Sequence, residues 1–231
     1  MENKKKILEA VKGGLMVSCQ ALPHEPLHSS FIMGRLALAA SMGGACGIRA
    51  NTAQDILEIK NQVKLPVIGI VKKDYPDSQV YITPTMDEVE ELVRVGCEII
   101  AMDATGHKRP GGMELADFFR KVRDQYPDQL FMADIASFEE GEAAEALGFD
   151  LVGTTLCGYT QETKGTEIPN LELISKLSSR LSAPVVAEGG IHSPEDLGRV
   201  YEAGAYTAVV GGAITRPLEI TRRFMEALQV Q

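Results

Sequence analysis

Short apolar runs recur eight times along this chain, and each is followed by a stretch with helical spacing. The runs cover residues 15–20, 46–50, 66–71, 98–104, 130–135, 151–156, 184–187 and 206–210. The helical patterns cover 31–42, 53–63, 87–95, 113–126, 138–147 and 170–181; one more runs from 194 to Gly204 and a last starts near Ile214. Most of the runs are continuously apolar rather than alternating, as parallel strands covered on both faces require. Gly43-Gly44, Gly96, Gly148 and Gly204 punctuate the pattern, and Thr52, Ser137 and Ser193 stand where helix N-caps belong. Eight strand–helix units in 231 residues predict an α/β protein, a single (β/α)8 TIM barrel over residues 1–231, preceded by a short polar N-terminal helical segment. Residues 81–83, inside the long connection 73–84, could add a short extra strand.

The composition allows this reading. With 45% hydrophobic and 24% charged residues the chain can bury a core. A net charge of −9 and the lack of any basic stripe argue against nucleic acid as a partner. No apolar stretch is long enough for a membrane helix, no signal-peptide core is visible, and Cys19, Cys46, Cys97 and Cys157 form no C-x-x-C pair. A cytoplasmic protein with buried free thiols is expected. No histidine has metal-ligand spacing with an acid or a cysteine, so no metal is expected.

A barrel makes a demand on the strand ends, because active sites on this fold lie at the C-terminal mouth. The polar residues there are Gln20, Arg49, Lys72, Asp103, Asp134, Thr154 with Thr155, and Glu188. Lys72 and Glu188 end strands three and seven, which face each other across eight strands. A lysine desolvated at the mouth loses basicity and can act as a base near neutral pH. A carboxylate opposite it can be a second acid/base or hold a hydroxyl, an arrangement suited to proton abstraction next to a carbonyl. Local sequence leaves a Schiff-base role for Lys72 open. Asp103 and Asp134 could instead pair with Arg49 or cap loops. Gly189-Gly190 and Gly211-Gly212 follow strands seven and eight, where this fold often binds phosphate with backbone N–H groups, and Arg216 can add donors. The ligand expected is a small phosphorylated metabolite.

Longer motifs carry a resemblance. Val17-Ser18-Cys19-Gln20-Ala21-Leu22, Glu25-Pro26-Leu27-His28-Ser29-Ser30, Gly47-Ile48-Arg49-Ala50, Ile68-Gly69-Ile70-Val71-Lys72, Tyr81-Ile82-Thr83-Pro84-Thr85, Ala133-Asp134-Ile135 and the run from Val209 to Pro217 are similar to the N-acetylmannosamine-6-phosphate 2-epimerase family of phosphate-binding barrels. The similarity spans residues 8 to 228. It implies interconversion of N-acetylmannosamine 6-phosphate and N-acetylglucosamine 6-phosphate in sialic acid and amino-sugar breakdown. It implies Lys72 and Glu188 as catalytic residues, Gln20, Arg49 and Asp134 as substrate contacts, and Gly190, Gly211, Gly212 and Arg216 at the phosphate. It also implies a homodimer that needs no metal or organic cofactor. One departure is Gly190, where some members of the family have Arg. The competing functions are a Schiff-base aldolase and a non-catalytic sugar-phosphate sensor on the same barrel.

Overall fold

The structure, a computed structural model, describes residues 2–228. Its strands are β1 (Leu15–Cys19), β2 (Gly47–Asn51), β3 (Val67–Ile70), β4 (Ile99–Asp103), β5 (Leu130–Asp134), β6 (Leu151–Gly153), β7 (Val185–Glu188) and β8 (Thr207–Val210). All pair in parallel and in sequence order, and β8 returns to β1 to close the barrel. The helices are α1 (Glu2–Val11), α2 (Ser30–Met42), α3 (Ala53–Gln62), α4 (Met86–Arg94), α5 (Leu115–Gln125), α6 (Phe138–Leu147), α7 (Leu171–Arg180), α8 (Pro194–Glu202) and α9 (Pro217–Leu228).

The period of two along each strand sorts side chains into two cores. Met16, Ile68, Ile70, Ile99, Ala101, Leu130, Met132, Leu151, Val186 and Val209 fill the barrel interior. Their neighbours Val17, Ile48, Ala50, Ile100, Phe131, Val152 and Val185 pack outward against the helices. Gly153 leaves room for this filling, because a Cβ there would stand 2.1 Å from Met132 Cε. Val11 of α1 belongs to the interior cluster, and the Gly13 amide donates to Tyr206 O at 2.8 Å, so the N-terminal segment closes the barrel's lower end. The parity that turns Leu130 and Met132 inward also turns Asp134 inward. It does the same for Arg49 on β2, Lys72 two residues past Ile70, and Glu188 two past Val186.

Three expectations need correction. The last helix begins at Pro217, not near Ile214. A residue before proline is pushed out of the helical region, and proline itself suits the first helical position, so Arg216 stays outside. Residues 211–215 instead form a turn, with Ile214 N and Thr215 N both donating to Gly211 O at 2.9 Å. Residues 81–83 form no strand: Ile82 makes a single antiparallel bridge to Lys72, and Thr83 takes φ 47°, which ends pairing before Pro84. Strand β6 stops at Gly153, since Cys157 N turns back to Thr154 O at 3.1 Å.

Candidate active site

A polar cavity of about 280 Å³ opens at the C-terminal mouth of the barrel. Gln20, Arg49, Lys72, Glu188, Gly190, Gly211, Gly212 and Arg216 all line it. Asp134 does not, being fully buried behind Arg49. Arg49 Nη2 donates to Asp134 Oδ2 at 2.6 Å and Nη1 to Oδ1 at 3.1 Å, a two-point pair of the kind planar guanidinium favours. Arg49 Nη1 also lies 2.9 Å from Glu188 Oε2. One buried cation thus joins β2 to the ends of β5 and β7. Asp103 has the other role foreseen for it: its Oδ1 accepts from Thr105 N at 3.0 Å and Thr105 Oγ1 at 2.7 Å, ordering the loop after β4.

Burial lowers Lys72 to about 8, and the nearby Arg49 and Arg216 guanidinium groups push the same way. Glu188 and Asp134 oppose the shift without cancelling it. Among the described residues Lys72 has no ion pair within 4.0 Å, so its amine is free for a ligand. Asn51 Oδ1 fixes its backbone, accepting from Lys72 N at 2.8 Å. Burial holds the Glu188 carboxyl above the usual carboxylate range; Arg49 works against this and Asp134 adds to it.

Gln20 Nε2 donates to Ser18 Oγ at 2.9 Å. Its Oε1 is buried with no partner among the described residues, and so is Arg49 Nε. Polar atoms buried without a partner are costly. The free amides beside the cavity come from turns, not from the start of α8. The His192 and Ser193 amides both donate to Asp196 Oδ2 at 3.1 Å, so that helix caps itself. The amides of Gly190, Ile191 and Gly212 have no protein acceptor among the described residues. Arg216 Nη1 donates to Glu219 Oε1 at 2.8 Å and Nη2 lies 3.5 Å from Glu25 Oε2. Gly190 takes φ 73°, and a Cβ there would stand 2.5 Å from the Ile168 carbonyl carbon. Any side chain at 190 collides with that backbone, which accounts for glycine here.

Several wall residues had no assigned role in the sequence reading: Tyr81, Thr155, Tyr159, His192 and Glu219. Thr155 was visible as a polar strand end. Arg223 was not visible at all, because it reaches Gly212 O at 3.1 Å from the middle of α9.

A family model described as N-acetylmannosamine-6-phosphate epimerase matches residues 33–230. A relative from Enterobacter sp. (strain 638), named as an N-acetylmannosamine-6-phosphate 2-epimerase, is 55% identical over 227 residues, covering 97% of each chain. One of the same name from Clostridium perfringens (strain SM101) is 53% identical over 223 residues, 96% of this chain and 100% of the relative. The solved structure of the N-acetylmannosamine-6-phosphate 2-epimerase from Clostridium perfringens superposes with a TM-score of 0.91 at 53% identity, over 95% of each chain. A thiamine phosphate pyrophosphorylase from Pyrococcus furiosus, at 18% identity and a TM-score of 0.61 over 95% of this chain and 98% of its own, shares the barrel alone. With the family model spanning most of its length and relatives above half identity, this chain belongs to the N-acetylmannosamine-6-phosphate epimerase family.

Proposed function

We propose that the protein interconverts N-acetylmannosamine 6-phosphate and N-acetylglucosamine 6-phosphate by proton transfer at C2. The observation that carries this is Lys72, a desolvated amine without an ion pair, in one cavity with the Arg49-bound carboxyl of Glu188. Lys72 takes the C2 proton of the open-chain sugar. The C2–H electrons form a C1–C2 double bond, and the C1 oxygen receives a proton from Glu188. Protonated Lys72 then delivers a proton to the other face of C2 while the C1 hydroxyl gives its proton back to Glu188, which leaves the epimer and both residues as they began. Arg49 and Gln20 orient the carbonyl and acetamido groups, and Asp134 holds Arg49 in place. The phosphate lies against Gly190, Gly211, Gly212 and Arg216, with Arg216 exchanging a carboxylate partner for it. The reaction belongs to sialic acid and amino-sugar breakdown.

Proton NMR of the purified protein with N-acetylmannosamine 6-phosphate tests the reading. The gluco epimer is expected to accumulate, and the unphosphorylated sugar to react far more slowly. Tight binding without turnover would make the protein a sensor. An adduct trapped by borohydride would make Lys72 a Schiff-base nucleophile.

The working form is a homodimer in the cytoplasm. All four cysteines are free, as suits a reducing compartment. Helix α9 buries none of its residues, and Leu218, Phe224, Met225 and Leu228 along it are exposed. An apolar helix face of this extent fits a protein interface. Sedimentation equilibrium is expected to give twice the chain mass, and Phe224→Glu to shift it toward the monomer. A monomer for the unaltered protein at micromolar concentration would refute this.

A further inference from the structure

Two consecutive threonines after β6 hold Glu188. Thr154 Oγ1 donates to the Glu188 carbonyl at 2.9 Å and accepts from the Glu188 amide at 3.1 Å. Thr155 Oγ1 lies 2.7 Å from Asp134 Oδ1 and 3.1 Å from Glu188 Oε2. A hydroxyl has one proton and two lone pairs, so Thr155 cannot donate to both carboxyl groups at once. The shorter contact commits its proton to Asp134. A lone pair then faces Glu188 Oε2.

The two states of Glu188 fare differently against that lone pair. An ionised Glu188 either meets it oxygen to oxygen or draws the Thr155 proton away from Asp134. A protonated Glu188 completes a chain: its O–H donates to Thr155 Oγ1, and Thr155 donates to Asp134, which Arg49 already holds at two points. The protonated state therefore makes one hydrogen bond more, in a buried setting where such chains strengthen one another. We infer that Thr155 is a positioning residue that keeps Glu188 in its protonated, proton-donating form. The inference rests on the reading of Glu188 as the acid of the epimerisation. When Glu188 releases its proton to the C1 oxygen the chain opens, and when it regains one the chain closes. Thr155 itself gains and loses nothing.

Other groups act on Glu188 from every side. Arg49 from β2, whose Nη1 stands 2.9 Å from the same Oε2, favours the ionised form, as do Lys72 after β3 when charged and the Thr155 hydroxyl whenever it donates to Glu188 instead of Asp134. Asp134 from β5 favours the protonated form. Tyr81 before α4 and Tyr159 after β6 are close enough to sense its charge. Removing the Thr155 hydroxyl leaves Arg49, Lys72, Tyr81 and Tyr159 in place and takes from Asp134 the one bond that links it to Glu188 through that hydroxyl.

The test is a carbon-13 NMR titration of ligand-free protein labelled at the Glu side-chain carboxyl carbons, with the Glu188 resonance assigned by its loss in Glu188→Gln. In Thr155→Val the Glu188 midpoint is expected to fall by about one pH unit, the equivalent of one lost hydrogen bond to the neutral form. Thr155→Ser keeps the hydroxyl and is expected to keep the midpoint. Thr155→Ala gives the same readout as valine should the branched side chain fail to fold. An unchanged or raised midpoint in the valine or alanine variant overturns the inference. Turnover of Glu188→Gln separates the two levels: normal turnover removes Glu188 from the chemistry, whatever the titration shows.

Discussion

Lys72→Ala is expected to lower kcat roughly 10²- to 10⁴-fold, the range for loss of a positioned general base, while KM changes little. The expectation follows from where the amine stands. Burial and two neighbouring guanidinium groups bring it to about 8, so an appreciable share is unprotonated near neutrality. A surface lysine would offer very little free amine at the same pH. Lys72 takes part as the amine, whose share grows tenfold per pH unit below about 8 and saturates above. Glu188 takes part as the acid, whose share falls above its own midpoint. The product of the two shares makes kcat/KM bell-shaped, with one limb at about 8. Lys72→Arg keeps a charge but not a titratable amine, and is expected to be as slow as alanine. Steady-state kinetics across the pH range check both points. Near-normal turnover in Lys72→Ala would remove that residue from the mechanism.

Arg49→Met is expected to destabilise the fold by about 3–5 kcal/mol, the usual cost of leaving a buried charge without its partner. In a chain of this length that lowers the melting temperature by on the order of 10 °C. Asp134 is fully buried and takes both guanidinium bonds, so nothing in water can replace Arg49. The double variant Arg49→Met, Asp134→Leu removes both charges and is expected to regain most of the lost stability. It should regain no turnover, because Glu188 and the substrate still lack the guanidinium. Thermal unfolding followed by circular dichroism, with kinetics on the same samples, separates the two effects. An unchanged melting temperature in Arg49→Met would show that the pair carries no structural weight.

The barrel was legible because parallel strands covered on both faces must be apolar throughout, and because each was followed by a helical pattern, three of them with a recognisable cap at Thr52, Ser137 and Ser193. Ser193 shows this: its hydroxyl accepts from Asp196 N at 3.1 Å, as the Ser-Pro-Glu-Asp sequence implies. The start of α9 differs from the expectation near Ile214 because Pro217, which suits the first helical position, sets it. The mouth residues were legible as strand ends, since a period of two turns every second side chain inward. Which of them touch one another was legible only as alternatives, pairing of Asp103 or Asp134 with Arg49 being one of them. Arg49 and Asp134 are 85 positions apart in sequence, and only closure of the barrel brings them together. Of the two roles expected for Asp134, substrate contact and pairing with Arg49, the structure shows the pair, with Asp134 fully buried and off the cavity wall. The shared hydroxyl of Thr155 is a matter of tenths of an ångström between two carboxyl groups, which no spacing in a sequence encodes.

The central claim is that Lys72 moves the C2 proton. Proton NMR of N-acetylmannosamine 6-phosphate with the protein in deuterated water tests it most directly. The unaltered protein is expected to yield the gluco epimer with deuterium at C2, and Lys72→Ala to yield neither epimer nor exchange on the same time scale. Epimer formed with its C2 proton wholly retained, or C2 exchange in Lys72→Ala at the unaltered rate, would contradict the account.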